Sequence, residues 1–409
     1  MLSDLDSKVF GGTMLIAGTS IGAAMLAMPI MTGLFGLLGT LIIMVACWLF
    51  MYWTACLILE ASLRFENGVS FISMARKTLG KVGAGFTWLT FLLLFYSLVA
   101  AYLSGSGRIM IDALEGFLHL EIPAFFDILP LLIIFSPFIY FGLSIVDRLN
   151  RYLMLGMFIS YAVVTIWLIP HIKTSNLLYN NWSFSLLSFS MVVTSFGYHV
   201  IIPTLVGYLN RDVKRIKICL FYGSFIPLII YFFWELTILG SVPVLGSAGL
   251  AHAFKTGMPL SRLLRTETNS DLVALLARCF SIFAIVTSFL GVAQGLFDFL
   301  KDGLRAQGSH KRRLLAFILT FIPPVLLIIG FESGFIALLE YAGALVAIIL
   351  GIIPILIVWR LRAQKGPVSY RAPGKKIALS LGLSFFAFVV FLVLLKNLGV
   401  LSFSVDSLL

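Results

Sequence analysis
The chain holds 409 residues, of which 60% are hydrophobic and 11% charged. That composition excludes a soluble domain with a single anchor and indicates an all-α polytopic membrane protein. A net charge of +11 would suggest nucleic acid for a soluble protein; here it raises the question of which membrane face holds the basic residues, and no nucleic-acid partner is expected.

Residues 1–8 are polar and partly acidic, and the stretch after them is long enough to span a bilayer, so no cleavable signal peptide is expected. Hydrophobic windows predict eleven spans, near 9–34, 35–62, 83–112, 124–144, 150–170, 184–208, 217–240, 272–300, 313–330, 334–359 and 376–397. Connections are mostly short, so one transmembrane domain is expected over 1–409. The long outer connection, 240–271, is expected to form short helices over the outer mouth. Lys and Arg divide unevenly, 22 in one alternating set of segments and 7 in the other. The positive-inside rule then puts the N-terminus in the cytoplasm and, after an odd number of spans, the C-terminus outside. Cys47, Cys56, Cys219 and Cys279 lack metal-ligand spacing and read as small apolar residues.

The first span is interrupted by Gly18, Thr19, Ser20, Ile21 and Gly22, with Pro29 and Gly33 following. A helix in lipid satisfies its own backbone, so a break is tolerated only where it faces protein or a water-filled cavity. There the freed N–H groups and half-helix ends can bind an ionic solute. The plainer alternative is that small residues let helices pack closely. The sixth span carries a second break at Thr194, Ser195, Phe196, Gly197, Tyr198 and His199, before Pro203 and Gly207. An offset of five spans gives the two breaks opposite orientation in the membrane. That is the pattern of a 5+5 inverted repeat, 9–170 against 184–359, with broken helices 1 and 6 meeting at the site and 376–397 as one extra C-terminal helix.

The run GTSIGAAMLAMP at 18–29 resembles the first span of the hydroxy and aromatic amino acid permease family. SIVDRLNR at 144–151, TSFGYH at 194–199, TSFLGVAQGLFDFLKD at 287–302, AAYLSGSG at 100–107 and EYAGA at 340–344 extend the resemblance, in register, over nearly the whole chain. Within the family the chain looks nearest to tyrosine-specific permeases. The resemblance implies a leucine-transporter-like fold in the bacterial inner membrane, with the C-terminus therefore periplasmic. It implies import of an aromatic L-amino acid, L-tyrosine first and tryptophan or phenylalanine as alternatives, by cation symport. The proton is the favoured ion and sodium the alternative. No cofactor is implied beyond that ion, and no partner beyond substrate and lipid; oligomeric state is left open. One departure concerns the wider amino acid–polyamine–organocation superfamily, many of whose proton-coupled members carry a lysine midway along span 5. Here that stretch reads LMLGMFISYA at 153–162, and Met157 takes the matching place.

An amino acid zwitterion brings two charges into a low dielectric. Backbone N–H groups at 19–22 can take its carboxylate, and carbonyls near Ala17 and Thr194 its ammonium. No Lys, Arg, Asp or Glu occurs between Val9 and Leu59. Phe196, Tyr198 and His199 suit an aromatic ring with a phenol. Tyr102 and Ser106, four apart, share a face of span 3. Gln294 either meets the substrate or locks helices together. Glu235 and Glu340 are carboxylates inside apolar runs, which mark ion pathways. Glu340 is the preferred coupling residue, because Glu235 lies near enough to its span end to snorkel. Sodium would instead take oxygens of Thr287 and Ser288 with carbonyls near Ala17 and Ser20; no other metal site is expected. Asp147, Arg148, Arg151, Arg211, Asp212 and Asp298 are expected to pair at cytoplasmic helix ends.

A membrane-embedded enzyme is the rival class. His119, His171, His199, His252 and His310 form no HxxxxD or HExxH pattern, and no GxxxxGK[ST] is present to drive a pump with ATP. A passive channel would show repeated pore motifs, which are also missing. Secondary transport, not enzyme chemistry, is the reading that the residues favour.

Overall fold
The computed structural model describes residues 2–66, 69–118, 127–141, 143–246, 249–268, 270–306, 308–330, 334–364 and 369–401, and among them only helices and turns occur. The first span is two helices, α1 (Leu2–Ser20) and α2 (Ala24–Thr32), bent by 54° at the glycine-bracketed break. Then come α3 (Leu37–Leu63), α4 (Phe71–Leu118), α5 (Leu129–Phe141), α6 (Leu143–Leu168) and the short α7 (Thr174–Leu177). The sixth span is likewise split, into α8 (Phe189–Ser195) and α9 (Ile202–Tyr208), with a 3₁₀ turn at His199–Ile201. After α10 (Val213–Ser241), the long connection folds as α11 (Leu250–Thr256) and α12 (Leu260–Thr268). The chain ends with α13 (Asp271–Gly303), α14 (His310–Gly330), α15 (Phe335–Val346), a π-helical stretch at Ala347–Ile352, α16 (Ile353–Ala363) and α17 (Lys376–Asn397).

Nine of the described helical segments are long and apolar enough to cross a bilayer, and the bent pair α1–α2 makes a tenth. The predicted span near 124–144 corresponds to α5, a shorter apolar helix of 13 residues. Its predicted start at 124–126 lies outside the described residues, as do His119, Lys365 and the C-terminal 402–409. Two local features explain departures from the predicted boundaries. α4 begins well before residue 83 because a basic stretch from Phe71 runs into the span through a kink at Gly80, whose φ of 78° only glycine adopts freely. Gly36 (φ 102°) turns the chain from α2 into α3, and a Cβ there would meet the Tyr179 carbonyl at 2.1 Å.

Burial sorts the helices into inner and outer. In the apolar window of Phe335–Ala363, 67% of the residues are buried, against 22% for Ile145–His171 and for His310–Gly330. The last two carry large exposed side chains such as Phe158, Ile166, Leu326 and Ile329, as helices facing lipid acyl chains should. The broken spans lie inside, with α1 against α10, α8 against α15 and α13 against both α4 and α6.

Candidate functional site
A helix that stops leaves its last carbonyls without partners. α1 stops at Ser20 and α8 at Ser195, and both orphaned carbonyls face one side chain on α10. The Tyr231 hydroxyl donates to the Ser20 oxygen at 2.7 Å and lies 3.0 Å from the Ser195 oxygen. The two breaks therefore meet, and they do so with their electronegative C-terminal ends together. Tyr231 is fully buried, and Phe196 of the second break packs edge-on against its ring at 5.6 Å.

The other half of span 1 is held by the same helix for a reason visible in the sequence. Pro29 has no N–H, so the Met25 carbonyl one turn earlier cannot bond within α2. The Trp234 indole fills the vacancy, donating to Met25 O at 3.0 Å. Where α2 begins, the Ala23 N–H donates to Ser288 Oγ at 3.0 Å. The approach is close: a Cβ on Gly22 would lie 2.6 Å from that hydroxyl. Tyr102 of α4 presents its phenol to the same Ser288. Thus Ser20, Gly22, Tyr102, Ser195, Tyr231 and Ser288 surround one point deep in the bundle, together with the N-terminus of α2. Such a place offers backbone N–H groups to an anion and carbonyls to an ammonium without any charged side chain.

The remaining sequence-predicted residues are distributed as follows. Ile21 N–H closes α1 by donating to Ala17 O at 3.0 Å, and Thr19, on the exposed side, bonds Leu15 O. Gly18 packs near Met154. Thr194 bonds back to Ser190 O, where α15 comes so close that a Cβ on Gly343 would lie 2.8 Å from the Thr194 hydroxyl. Gly197 donates to Thr194 O, which turns the chain out of α8. His199 points away from the meeting point, into α3. Its Nε2 lies 3.0 Å from Met51 O and 2.9 Å from Thr54 Oγ1, so it carries the hydrogen, and Nδ1 has no partner among the described residues. Tyr198 lies beside it with its ring tilted by 33°, fully buried, and its hydroxyl faces Ser224. Ser106 and Thr287 bond carbonyls of their own helices, Leu103 O and Ala284 O. Gln294 donates to Asp298 Oδ2 at 2.9 Å, six residues beyond Ser288. Met157 is buried.

The two intramembrane carboxylates part company. Glu340 forms an ion pair with Lys396 of α17, with Nζ at 2.7 and 2.6 Å from its two oxygens. The pair lines a cavity of about 680 Å³ together with residues of α11 and α12 and with Leu26, Ile30, Ser281 and Ile285. Glu235 does not snorkel. It is fully buried, and the Thr32 hydroxyl at the end of α2 lies 2.8 Å from its Oε2. A second cavity, about 700 Å³, opens between Phe91, Phe95, Pro203, Gly207, Gly295 and the start of α4.

At the helix ends predicted to be cytoplasmic, Asp147 pairs with Arg151, Asp212 with Arg215 and Asp298 with Lys301. Arg211 instead caps α3 by donating to the Leu63 and Phe65 carbonyls. Three residues that the sequence reading passed over prove central. Tyr231 and Trp234 sit in an aromatic run indistinguishable from core. Glu60, fully buried, is held by Arg362 at 2.6 and 3.0 Å and by the Ala372 N–H at 2.9 Å; its signal was the acidic residue ending an otherwise uncharged span.

Similarity to known proteins is extensive. Residues 6–394 match the model of the tryptophan/tyrosine permease family. The chain is 32% identical over 384 residues to tyrosine-specific transport system 2 of Haemophilus influenzae, covering 93% of this chain and 94% of that one. It is also 32% identical over 387 residues to a tryptophan-specific transport protein of Pseudomonas aeruginosa, covering 92% of each. A crystal structure of the Eremococcus coleocola manganese transporter superposes with a TM-score of 0.61 at 14% identity, over 97% of this chain and 87% of the other. That last likeness concerns the fold alone, which is leucine-transporter-like with its first and sixth spans broken. With the family model matched along nearly its whole length, this chain is a multi-pass membrane permease, not an enzyme, and belongs to the tryptophan/tyrosine permease family.

Proposed function
We propose that the chain imports an aromatic L-amino acid, L-tyrosine before tryptophan or phenylalanine, across the bacterial inner membrane by proton symport with alternating access. The observation that carries the reading is the meeting of the two broken spans at Tyr231, with Ser288 and Tyr102 beside it. There an ammonium finds the carbonyl ends of α1 and α8, and a carboxylate finds the N-terminus of α2. Segments 9–170 and 184–359 are read as the inverted repeats that rock about this point, with the N-terminus cytoplasmic and the C-terminus periplasmic. The printed substrates of the two relatives, tyrosine and tryptophan, support an aromatic side chain.

The test is uptake of labelled tyrosine into proteoliposomes with no gradient, a proton gradient or a sodium gradient, each with unlabelled tyrosine, tryptophan or phenylalanine as competitor. Accumulation on the proton gradient, with tyrosine the strongest competitor, is expected. Accumulation on sodium alone would overturn the ion, and stronger competition by tryptophan would overturn the substrate. The sodium arm is supported by Ser288, which stands beside the first break, with Thr287 its neighbour on α13.

A further inference from the structure
Among the described residues, three carboxylates are buried in membrane-crossing helices: Glu60, Glu235 and Glu340. Arg362 neutralises Glu60 and Lys396 neutralises Glu340. Glu235 has no cation within ion-pair distance among the described residues. Its Oε2 lies 2.8 Å from the Thr32 hydroxyl, which is also 2.8 Å from the Met28 carbonyl, and its Oε1 has no partner among the described residues. An unpaired ionised carboxylate in such a place is the costly case, whereas a neutral acid is tolerated.

The neighbours decide what that arrangement can do. Thr32 is the last residue of α2, the half-helix on the outer side of the break. Trp234 ties the same half-helix through Met25 O, and Tyr231, one turn below Glu235, ties the Ser20 and Ser195 carbonyls at the candidate site. Displacement of α2 would take the Thr32 hydroxyl from the carboxyl and, with it, the half-helix that borders the candidate site. The other titratable groups on the surrounding elements are few. Tyr161 of α6 donates to Ile230 O, Tyr52 of α3 meets α10 far below at Phe221, His171 and Lys173 lie at the outer end, and α11, packed on α2, carries His252 and Lys255.

We propose that Glu235 is the residue that carries the coupled proton. This deepens the proton-symport reading and rests on it. With α2 displaced, a hydronium ion of the outer water gives its proton to Oε1, forming one O–H bond and leaving water. The neutral acid lets α2 close again with Thr32 on Oε2. When the cytoplasmic side opens, the same O–H bond breaks, and the proton passes to inner water.

The experiment uses full-length protein in proteoliposomes with a pH indicator in the lumen. Tyrosine added outside should acidify the lumen with wild-type protein. Glu235→Gln should abolish that acidification and lower gradient-driven accumulation at least tenfold, while tyrosine counterflow stays within about threefold, a split that a merely structural defect would not produce. Should Glu235→Gln fail to bind tyrosine at all, Glu235→Asp keeps the acid, and its acidification should return with an altered pH profile; a folded Glu235→Asp protein that exchanges tyrosine but moves no proton at any pH overturns the proposal. Wild-type acidification by Glu235→Gln overturns the assignment and leaves proton symport standing. No acidification by the wild-type protein, with sodium-driven uptake instead, overturns both.

Discussion

The close approach of Gly22 to Ser288 at the candidate site yields a quantitative expectation. A Cβ added at Gly22 would sit 2.6 Å from Ser288 Oγ and 3.8 Å from its Cβ. Gly22→Ala must therefore push the hydroxyl aside, and that hydroxyl is the acceptor of the Ala23 N–H. Loss of one neutral hydrogen bond costs about 0.5–1.5 kcal/mol, and stranding the buried N–H raises this to about 1–3 kcal/mol. If the lost order falls on the ligand-binding state, tyrosine affinity should drop by roughly 5- to 150-fold, at about tenfold per 1.4 kcal/mol. The decisive variant is the double one. Ser288→Ala removes the atom that the new methyl strikes, so Gly22→Ala/Ser288→Ala should bind no worse than Ser288→Ala alone. The assay is equilibrium binding of labelled tyrosine to purified protein for the four members of this cycle, with melting temperatures to confirm folding. Additive losses in the cycle, or wild-type affinity for Gly22→Ala, would refute the reasoning, because the contact would then be absent in the state that binds.

Two further expectations follow from groups that hold the frame. Tyr231→Phe removes the hydroxyl that donates to the Ser20 carbonyl and lies 3.0 Å from the Ser195 carbonyl, so tyrosine counterflow should fall and thermal stability should drop by about 1–3 kcal/mol; a protein that melts and exchanges like wild type would show that the two breaks do not depend on this contact. Arg362→Ala takes both of its hydrogen bonds from the fully buried Glu60, leaving Arg64 at 3.6 Å and the Ala372 N–H, and should cost about 1.5–3 kcal/mol in detergent unfolding, whereas replacing both residues by uncharged ones of similar volume should recover much of it. Equal damage from the single and double changes would mean that Arg362 supports the structure through packing and not through its charge.

Much of the architecture could be read from the chain because a bilayer makes only a few patterns affordable. Glycine, serine and threonine clustered inside an apolar run mark unwound backbone, and both breaks stand where those clusters are. What periodicity could not supply is direction. His199 belongs to the second break by sequence, yet its ring turns to Met51 and Thr54 of α3, because once the helix unwinds its phase no longer says where a side chain points. Tyr231 and Trp234 were hidden for a different reason. Aromatic residues in a hydrophobic span look like packing, and their polar atoms matter here only because Ser20, Ser195 and Met25 carbonyls are orphaned by breaks and by Pro29 elsewhere in the chain. Glu340 and Glu235 looked alike as acids in apolar runs; the difference lies in Lys396, 56 residues along the chain from Glu340, which reaches one and leaves the other without a cation.

One stretch of α10 engages span 1 at three levels: Tyr231 at the end of α1, Trp234 at the start of α2 and Glu235 at its far end. The first contact also includes α8, whereas the other two hold α2 alone. An outward swing of α2 can thus break the Trp234 and Glu235 contacts while leaving the Tyr231 bridge intact. Two hydrogen bonds are worth about 1–3 kcal/mol net. A ligand shifts a two-state equilibrium by its differential affinity, and a bias of that size needs only a factor of roughly 5–150 between states. On the proton-symport proposal, binding an amino acid at the break or a proton on Glu235 would supply interactions of this order. These two bonds are only the share that the α10 side chains contribute: all nine residues of α2 are buried, so packing holds the half-helix in addition.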